Sequence, residues 1–323
     1  MNDASVEATP AETLAELLRV SGRSYTKVRH LLVQVPSGDT SKAGKLGAMV
    51  TERKRRSLQL YLLLITVWPW LKKQEMPLPA AVWARALTTE RGRKWSVTNV
   101  SEAWTDLENR KLIERTRLSR GVMITPRRED GAAAYTDPGG VPNDRLESYF
   151  TLPPSFWTDG WFEKLSMPGL AMLLAVASKT SQEVETWLTN EHAGEWFGLS
   201  PRSVESGLSE LEKHDLLTHR TEWVKAPLSS IGATQRHHYS LSDAFSTAER
   251  LAMQANAQAE MRKRLKANAK PKAKSGAGDQ TKAKKRKAKA TDAQHSGASK
   301  KAKKAIPKKA TAKRNTSPSS DAT

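Results

Sequence analysis

The sequence predicts a mainly α-helical fold with small β-hairpins, in which one pattern is used twice. Three observations carry this. Residues 95–113 (WSVTNVSEAWTDLENRKLI) and 199–217 (LSPRSVESGLSELEKHDLL) lie 104 positions apart and align without a gap, sharing Ser96/Ser200, Val100/Val204, Leu107/Leu211, Glu108/Glu212 and Leu112/Leu216. Trp104/Leu208, Asp106/Glu210 and Ile113/Leu217 are swaps of like for like. Each window follows apolar segments of helical period and precedes a stretch that alternates as a hairpin does. Finally, charge is segregated: residues 262–323 hold 21 of the 53 Lys and Arg against three of the 34 acids, a net of +18, so the rest of the chain is nearly neutral.

Taken in chain order, Leu14, Leu17 and Leu18, then Val28, Leu31 and Leu32, sit at helical spacings on either side of Ser21-Gly22, which predicts two short helices. A polar stretch (SGDTSKAGKLG) and the basic run Arg53 to Arg56 lead into an apolar segment, Leu58 to Leu71, that reads as a buried helix. The run AAVWARAL after Pro79 reads as a second helix. Ser96 to Lys111 reads as a third, with Val100, Trp104 and Leu107 on one face. Ile113 to Thr125 alternates around Ser119-Arg120-Gly121 as a hairpin. After a Gly/Pro-rich loop the order recurs. PGLAMLLAVAS, NEHAGEWFGL and LSPRSVESGLSELEKH read as three helices, Ser200 being suited to cap the last and Pro201 to open it. HRTEWVK and RHHYSLS supply two strands around the loop APLSSIGATQ.

Three helices closed by a hairpin is the order of a winged helix. The expected architecture is therefore mainly α with small β wings: two winged helix-turn-helix domains, an α-helical extension and a disordered basic C-terminal tail. The boundaries that follow are a helical or flexible N-terminal segment at 1–45, domain 1 at 46–130, a linker at 131–146, domain 2 at 147–245, an extension at 246–268 and the tail at 269–323. The tail is Lys, Ala, Ser, Thr, Gly and Pro, too charged and too poor in apolar residues to offset the entropy of folding.

A third helix of this kind must pack one face on its own domain and present the other to the major groove of DNA. With Val204, Leu208 and Leu211 inward, Arg202, Ser206, Ser209 and Lys213 point outward and Ser203 sits near the helix start. Arg236 lies on the following hairpin. The same wheel in the first unit exposes Thr98, Glu102, Thr105, Asp106 and Asn109, a face with two acids that DNA repels. Its basic residues flank the helix: Arg91, Arg93 and Lys94 before it, and Arg115, Arg117, Arg120, Arg127 and Arg128 along the hairpin. The first unit is thus expected to bind DNA through its wing, or to bind another protein. In the tail, Lys284, Lys285, Arg286, Lys287, Lys300, Lys301, Lys303 and Lys304 are candidates for non-specific phosphate contact, because closely spaced cations release condensed counterions.

Other functional classes find little support. With no cysteine in the chain, disulfide scaffolds and thiolate chemistry are excluded. GDTSKAGKL lacks phosphate-loop spacing, with five residues between Gly38 and Gly44 and Leu46 in place of the metal-binding hydroxyl. His237-His238 lack the spacing of a nuclease metal pair and read as strand residues. No enzyme, cofactor or metal site is expected. Trp68, Trp83, Trp104 and Trp196 read as core, while Trp223 falls in a wing. The polar, acidic start MNDASVEATPAE and the absence of any apolar run of about 20 residues lead to the expectation of a cytoplasmic, nucleoid-associated protein with no membrane contact.

The core AGEWFGLSPRSVESGLSELEKHDLL (193–217) resembles the helix-turn-helix of MarR and GntR regulators, which implies a DNA-binding transcriptional role. Those families usually carry Gly where His214-Asp215 stand here. REDGAAAY, YFTLPPSFWTDGWFEKLSMPGLAMLL and KAPLSSIG, within 46–245, are similar to a group of actinobacterial tandem winged-helix proteins, and this implies the fold without an activity. The tail (AKPKAK, KAKKRKAKA, SKKAKKAIPKKATAK) is similar to those of linker histones. Two winged helices in one chain also resemble, in architecture alone, replication initiators of plasmids and integrative elements. A transcription factor, an initiator and a nucleoid architectural protein remain the open alternatives, each with double-stranded DNA as partner.

Overall fold

The structure is a computed structural model and describes residues 7–37, 40–89, 92, 94–119, 121–139 and 144–269. It is mainly α-helical with small antiparallel sheets.

The chain starts with α1 (Pro10–Ser21), fixed at one end by a Thr9/Glu12 capping box with Pro10 in the first turn, and at the other by Gly22 in the left-handed region (φ 65°). Only one helix forms here, not two. After Gly22 the chain runs as β1 (Thr26–Arg29) and a 3₁₀ turn (His30–Leu32). The i, i+3, i+4 spacing of Val28, Leu31 and Leu32 comes from a strand residue followed by a tight turn. β1 is extended because its partner is remote: it pairs antiparallel with β6 (Tyr149–Leu152), Thr26 opposite Leu152. Local periodicity carries no trace of such a partner.

β2 (Gln34–Ser37) and β3 (Thr40–Ala43) form a hairpin, followed by α2 (Lys45–Thr51). The described part of the segment weighed as a phosphate loop, residues 40–46, is therefore strand and helix start. Gly44 is required there because a Cβ would collide with the Leu31 and Leu32 carbonyls.

α3 (Arg55–Leu71) is buried over most of its length, from Ser57 through Val67. α4 (Ala80–Leu87) and α5 (Val97–Asn109) pack on it, Trp83 meeting Trp104 edge to face with ring centroids 5.4 Å apart. A hairpin of β4 (Ile113–Leu118) and β5 (Gly121–Pro126) follows. After β6 come the short helices α6 (Ser155–Thr158) and α7 (Trp161–Lys164), then α8 (Met167–Lys179), the short strand β7 (Thr186–Trp187), α9 (Asn190–Phe197), α10 (Pro201–Lys213), and the hairpin β8 (Leu217–Lys225) and β9 (Ala233–Leu241). Strand order in this second sheet is β7-β9-β8, all antiparallel. α11 (Thr247–Ala269) closes the described chain.

The buried side chains of both helical units belong to one contiguous core. Within the expected linker, 131–146, the described stretch 131–139 passes Arg29, which is buried and ion-paired to Glu129 (3.0 Å) and Glu147 (2.9 Å) and donates to the Thr136 carbonyl (3.0 Å). A buried guanidinium satisfied on several sides is costly to leave with a partner missing, so it fixes Glu129, Thr136 and Glu147 around β1. α11 is anchored similarly. Arg250, fully buried, donates to the carbonyls of Phe245, Ala177 and Thr180, the last two at the C-terminal end of α8, where carbonyls lack helical partners.

Candidate nucleic-acid interface

The repeat in the sequence is a repeat of joints. α5 and α10 are capped by Ser96 and Ser200, whose side chains accept from the amides of Asn99 and Ser203. Both end in the same way. Lys111 (φ 60°) and Asp215 (φ 57°) take the left-handed conformation, their amides donating to the Glu108 and Glu212 carbonyls, while the amides of Leu112 and Leu216 reach back to Leu107 and Leu211, each at 2.9 Å. Lys111 and Asp215 thus take at the helix ends the left-handed conformation that glycine most often supplies. Beyond it, the amides that end the two hairpins return to the same place: Arg127 donates to the Leu112 carbonyl at 2.7 Å and Ser242 to the Leu216 carbonyl at 3.0 Å.

The like-for-like pair Asp106/Glu210 has a shared task as well. Glu210 on α10 accepts from the Ser166 amide at 2.8 Å and from its hydroxyl, holding the N-terminal end of α8. Asp106 on α5 accepts from Ser57 at the start of α3, lies 3.7 Å from Lys54, and is bound by Arg110. This corrects the helical wheel that placed Asp106 on the outer face: it is turned toward the first helix of its own unit. Burial by itself raises its carboxyl, but hydrogen bonds from Arg110 and Ser57 and the charges of Arg110 and Lys54 hold it below the usual Asp value. The signal was present in the sequence, since an acid repeated at the same position of two otherwise different faces points to a structural duty.

On α10, Arg202, Ser206, Ser209 and Lys213 are exposed on one side, and none of them is ion-paired among the described residues. Glu205 and Glu212 are exposed as well, Glu212 lying 3.8 Å from His219. Ser203 is half-buried, its hydroxyl 2.9 Å from that of Ser200, so it belongs to the cap before any ligand. Beside the helix the β8–β9 hairpin, with nine residues in each strand, is exposed along almost all of β8. Arg236 stands out from it with its guanidinium over the Trp187 ring, 5.2 Å from the centroid. Trp223, Leu228 and Ile231 are exposed on its outer half. His237 and His238 are strand residues: His237 is 2.9 Å from His219, and His238 lies 3.2 Å from both Glu185 and Glu222.

The first unit differs. Arg115 is bound by Glu108 (Nε to Oε2, 2.8 Å), Arg127 by Glu114 and Arg128 by Asp130 (2.7 Å). Arg117 and Lys94 are exposed. Arg91, Arg93 and Arg120 lie outside the described residues, as do the tail candidates Lys284, Lys285, Arg286, Lys287, Lys300, Lys301, Lys303 and Lys304. Three members of the basic cluster at the start of α3 are engaged by the protein itself, Lys54 near Asp106, Arg55 on Glu163 and Arg56 over Trp95, while Arg53 is exposed. Between α5 and the hairpin runs a groove of about 340 Å³, lined by Pro77, Leu78, Val97, Trp104, Val122 and Ile124. Met76 and Leu118 are exposed apolar residues in the same unit.

Among the described residues no group of three or more His, Asp or Glu is placed to hold a metal ion, and no helix is long and apolar enough to cross a membrane. Compared with known protein families, with characterised proteins and with solved structures, the chain matches none.

Proposed function

We propose that this chain is a DNA-binding regulator, cytoplasmic and nucleoid-associated, in which two winged-helix modules are followed by a polycationic tail. The second module reads duplex DNA: α10 lies in the major groove with Arg202, Ser206, Ser209 and Lys213 facing base edges and phosphates, and the β8–β9 hairpin follows the flanking backbone through Arg236. The observation that carries this reading is the exposed side of α10, whose cations have no acidic partner among the described residues, next to a long exposed hairpin. The order helix, strand, helix, helix, hairpin and the strand order β7-β9-β8 support the winged-helix assignment. Tail lysines hold the chain near any duplex and raise the effective concentration of the folded modules.

For the first module the observations favour a protein partner. Two of its hairpin arginines, Arg115 and Arg127, are neutralised by its own acids, leaving Arg117 exposed, and the groove where a recognition helix meets its wing is lined mostly by apolar side chains, with Arg115 and Ser101 among them.

Genome-wide mapping of bound sites for the intact chain and for one lacking residues 262–323 tests the reading. A regulator occupies a few defined sequences and keeps its preference without the tail. An architectural protein loses most binding on truncation and has no preferred site, and a replication initiator occupies direct repeats at an origin. Failure of the intact protein to bind duplex DNA at all would reject the proposal.

A further inference from the structure

A polar cavity of about 220 Å³ opens between the 3₁₀ turn at His30, β2, the segment before β6 and the C-terminal end of α8. Lys179, Arg145, Gln34, Ser148, Ser178 and His30 line it, and no described carboxylate does. Lys179 donates to Gln34 Oε1 at 2.7 Å and lies 4.3 Å over the Trp196 ring of α9. Its remaining two N–H groups, the Gln34 amide and the Arg145 guanidinium are left as donors. Among the described residues neither cation has an ion-pair partner. Two acids line the adjoining hollow and are engaged there: Glu147 pairs with Arg29, and Asp144 accepts from the Leu146 amide.

Burial acts on the cations at and near the cavity, and their charge acts on His30. Burial lowers the Lys179 ammonium below the ordinary lysine value. Burial also pushes Arg250 down to about 10, and its partners are carbonyls and hydroxyls. His30 is pushed down to about 4, by burial first and then by the charges of Lys179 and Arg250, against a hydrogen bond to the Tyr149 backbone. It is therefore neutral at pH 7, with Nδ1 2.6 Å from the Ser178 hydroxyl. Cations partly removed from water without a counter-charge are stabilised by an anion that replaces the lost solvation.

We propose that this cavity binds a phosphate group, with Lys179 and Arg145 as its charge partners and the Gln34 amide as a further donor. A guanidinium fork and an ammonium suit a tetrahedral dianion, and the volume holds a phosphate with a few further heavy atoms, less than a drug-sized ligand needs. The group belongs either to a small free phosphate monoester or to the backbone of DNA. The site is separate from α10, so it stands or falls independently of base reading by the second module.

Lys179 supplies its own probe. The full-length protein is acylated sparingly with an amine reagent, and modification at Lys179 is followed by peptide mass spectrometry, with exposed Lys72 and Lys73 as internal references. Glycerol phosphate, inorganic phosphate, chloride at matched ionic strength and a random-sequence duplex are compared. Free phosphate compounds, and not chloride, are expected to slow acylation of Lys179 relative to the references by about threefold or more near saturation. Arg145→Gln, at an exposed side chain that leaves the fold intact, abolishes that protection. Protection by the duplex alone assigns the phosphate to DNA. No selective protection by either source, or protection unchanged in Arg145→Gln, overturns the proposal.

Discussion

Arg202 and Lys213 on α10 stand where α5 carries Thr98 and Asn109, and the free cations of the second unit contrast with a first unit in which two hairpin arginines, Arg115 and Arg127, are spent on Glu108 and Glu114. Yet the two share a serine cap, an acid that holds the start of the unit's first helix, a left-handed residue at the helix end and a hairpin returning to the same carbonyl. Joints are kept where geometry leaves few alternatives. Surfaces, which no internal contact constrains, have gone separate ways.

Truncation before residue 262 should have the largest effect on binding, and it clears the view of the two units. If about half of the +18 net charge meets phosphate, the dependence of log affinity on log salt should flatten by roughly eight. Titrations against one duplex at several salt concentrations measure this, and a change below about two would reject the tether. The affinity that survives truncation is the part the folded units supply.

A second contrast lies in the packing of the third helix on the first. Gly207 faces α8 where the first unit has Ala103. A Cβ at 207 would sit 2.5 Å from the Pro168 carbonyl oxygen and 2.6 Å from the Met172 side chain. Gly207→Ala should therefore destabilise by about 2 kcal/mol even after the better helix propensity of alanine is credited. Ala103→Gly in the first unit should cost about 1 kcal/mol, from propensity and a small void. Denaturant midpoints decide the order, and equal costs would mean that the two helix pairs approach equally closely.

The acids come next. Asp106→Asn and Glu210→Gln should each cost about 1–3 kcal/mol at neutral pH, because each leaves helix-start donors poorly matched in a partly buried place. For Asp106 the sign with pH is fixed. Its carboxyl is lower in the folded chain than in the unfolded one, so its contribution is complete above the ordinary Asp value and lost as pH falls through the depressed one. The stability gap between wild type and Asp106→Asn should close in acid. A gap that persists there would mean that the carboxylate's charge is not what matters.

Much of this was legible in the sequence and some of it was not, for reasons these residues make plain. α5 and α10 could be read because Val100, Trp104 and Leu107, and Val204, Leu208 and Leu211, recur at the helical period against one core. The outward placement of Arg202, Ser206, Ser209 and Lys213 followed from the same rotation. β1 stayed hidden because its partner lies more than 100 residues away, and α2 because it is only two turns long. Asp106 was misplaced because it sits at the edge of the exposed arc, where a polar side chain turns either way. What turned it was Arg110, Lys54 and Ser57. Neutralisation of Arg115 depends on Glu108 on the preceding helix, a pairing that only the hairpin geometry creates.

The finest contrast concerns the matched positions themselves. If α10 reads DNA and α5 does not, Arg202→Ala and Lys213→Ala should each weaken duplex binding by about 1–3 kcal/mol, while Thr98→Ala and Asn109→Ala leave it within about 0.5 kcal/mol. All four side chains are exposed, so the fold should tolerate each change and any loss reports on the interface. The two cations should also separate by kind. One that meets only phosphate lowers affinity for every sequence and reduces the salt slope by about one, whereas one that reaches a base edge relaxes preference at a single position of the site. Fluorescence anisotropy with tail-truncated protein, on a preferred duplex and a scrambled one, reads both. Equal losses from the α5 pair would give the first unit a share in DNA reading and take away the ground for assigning it a protein partner, since its apolar groove would then lie against the duplex.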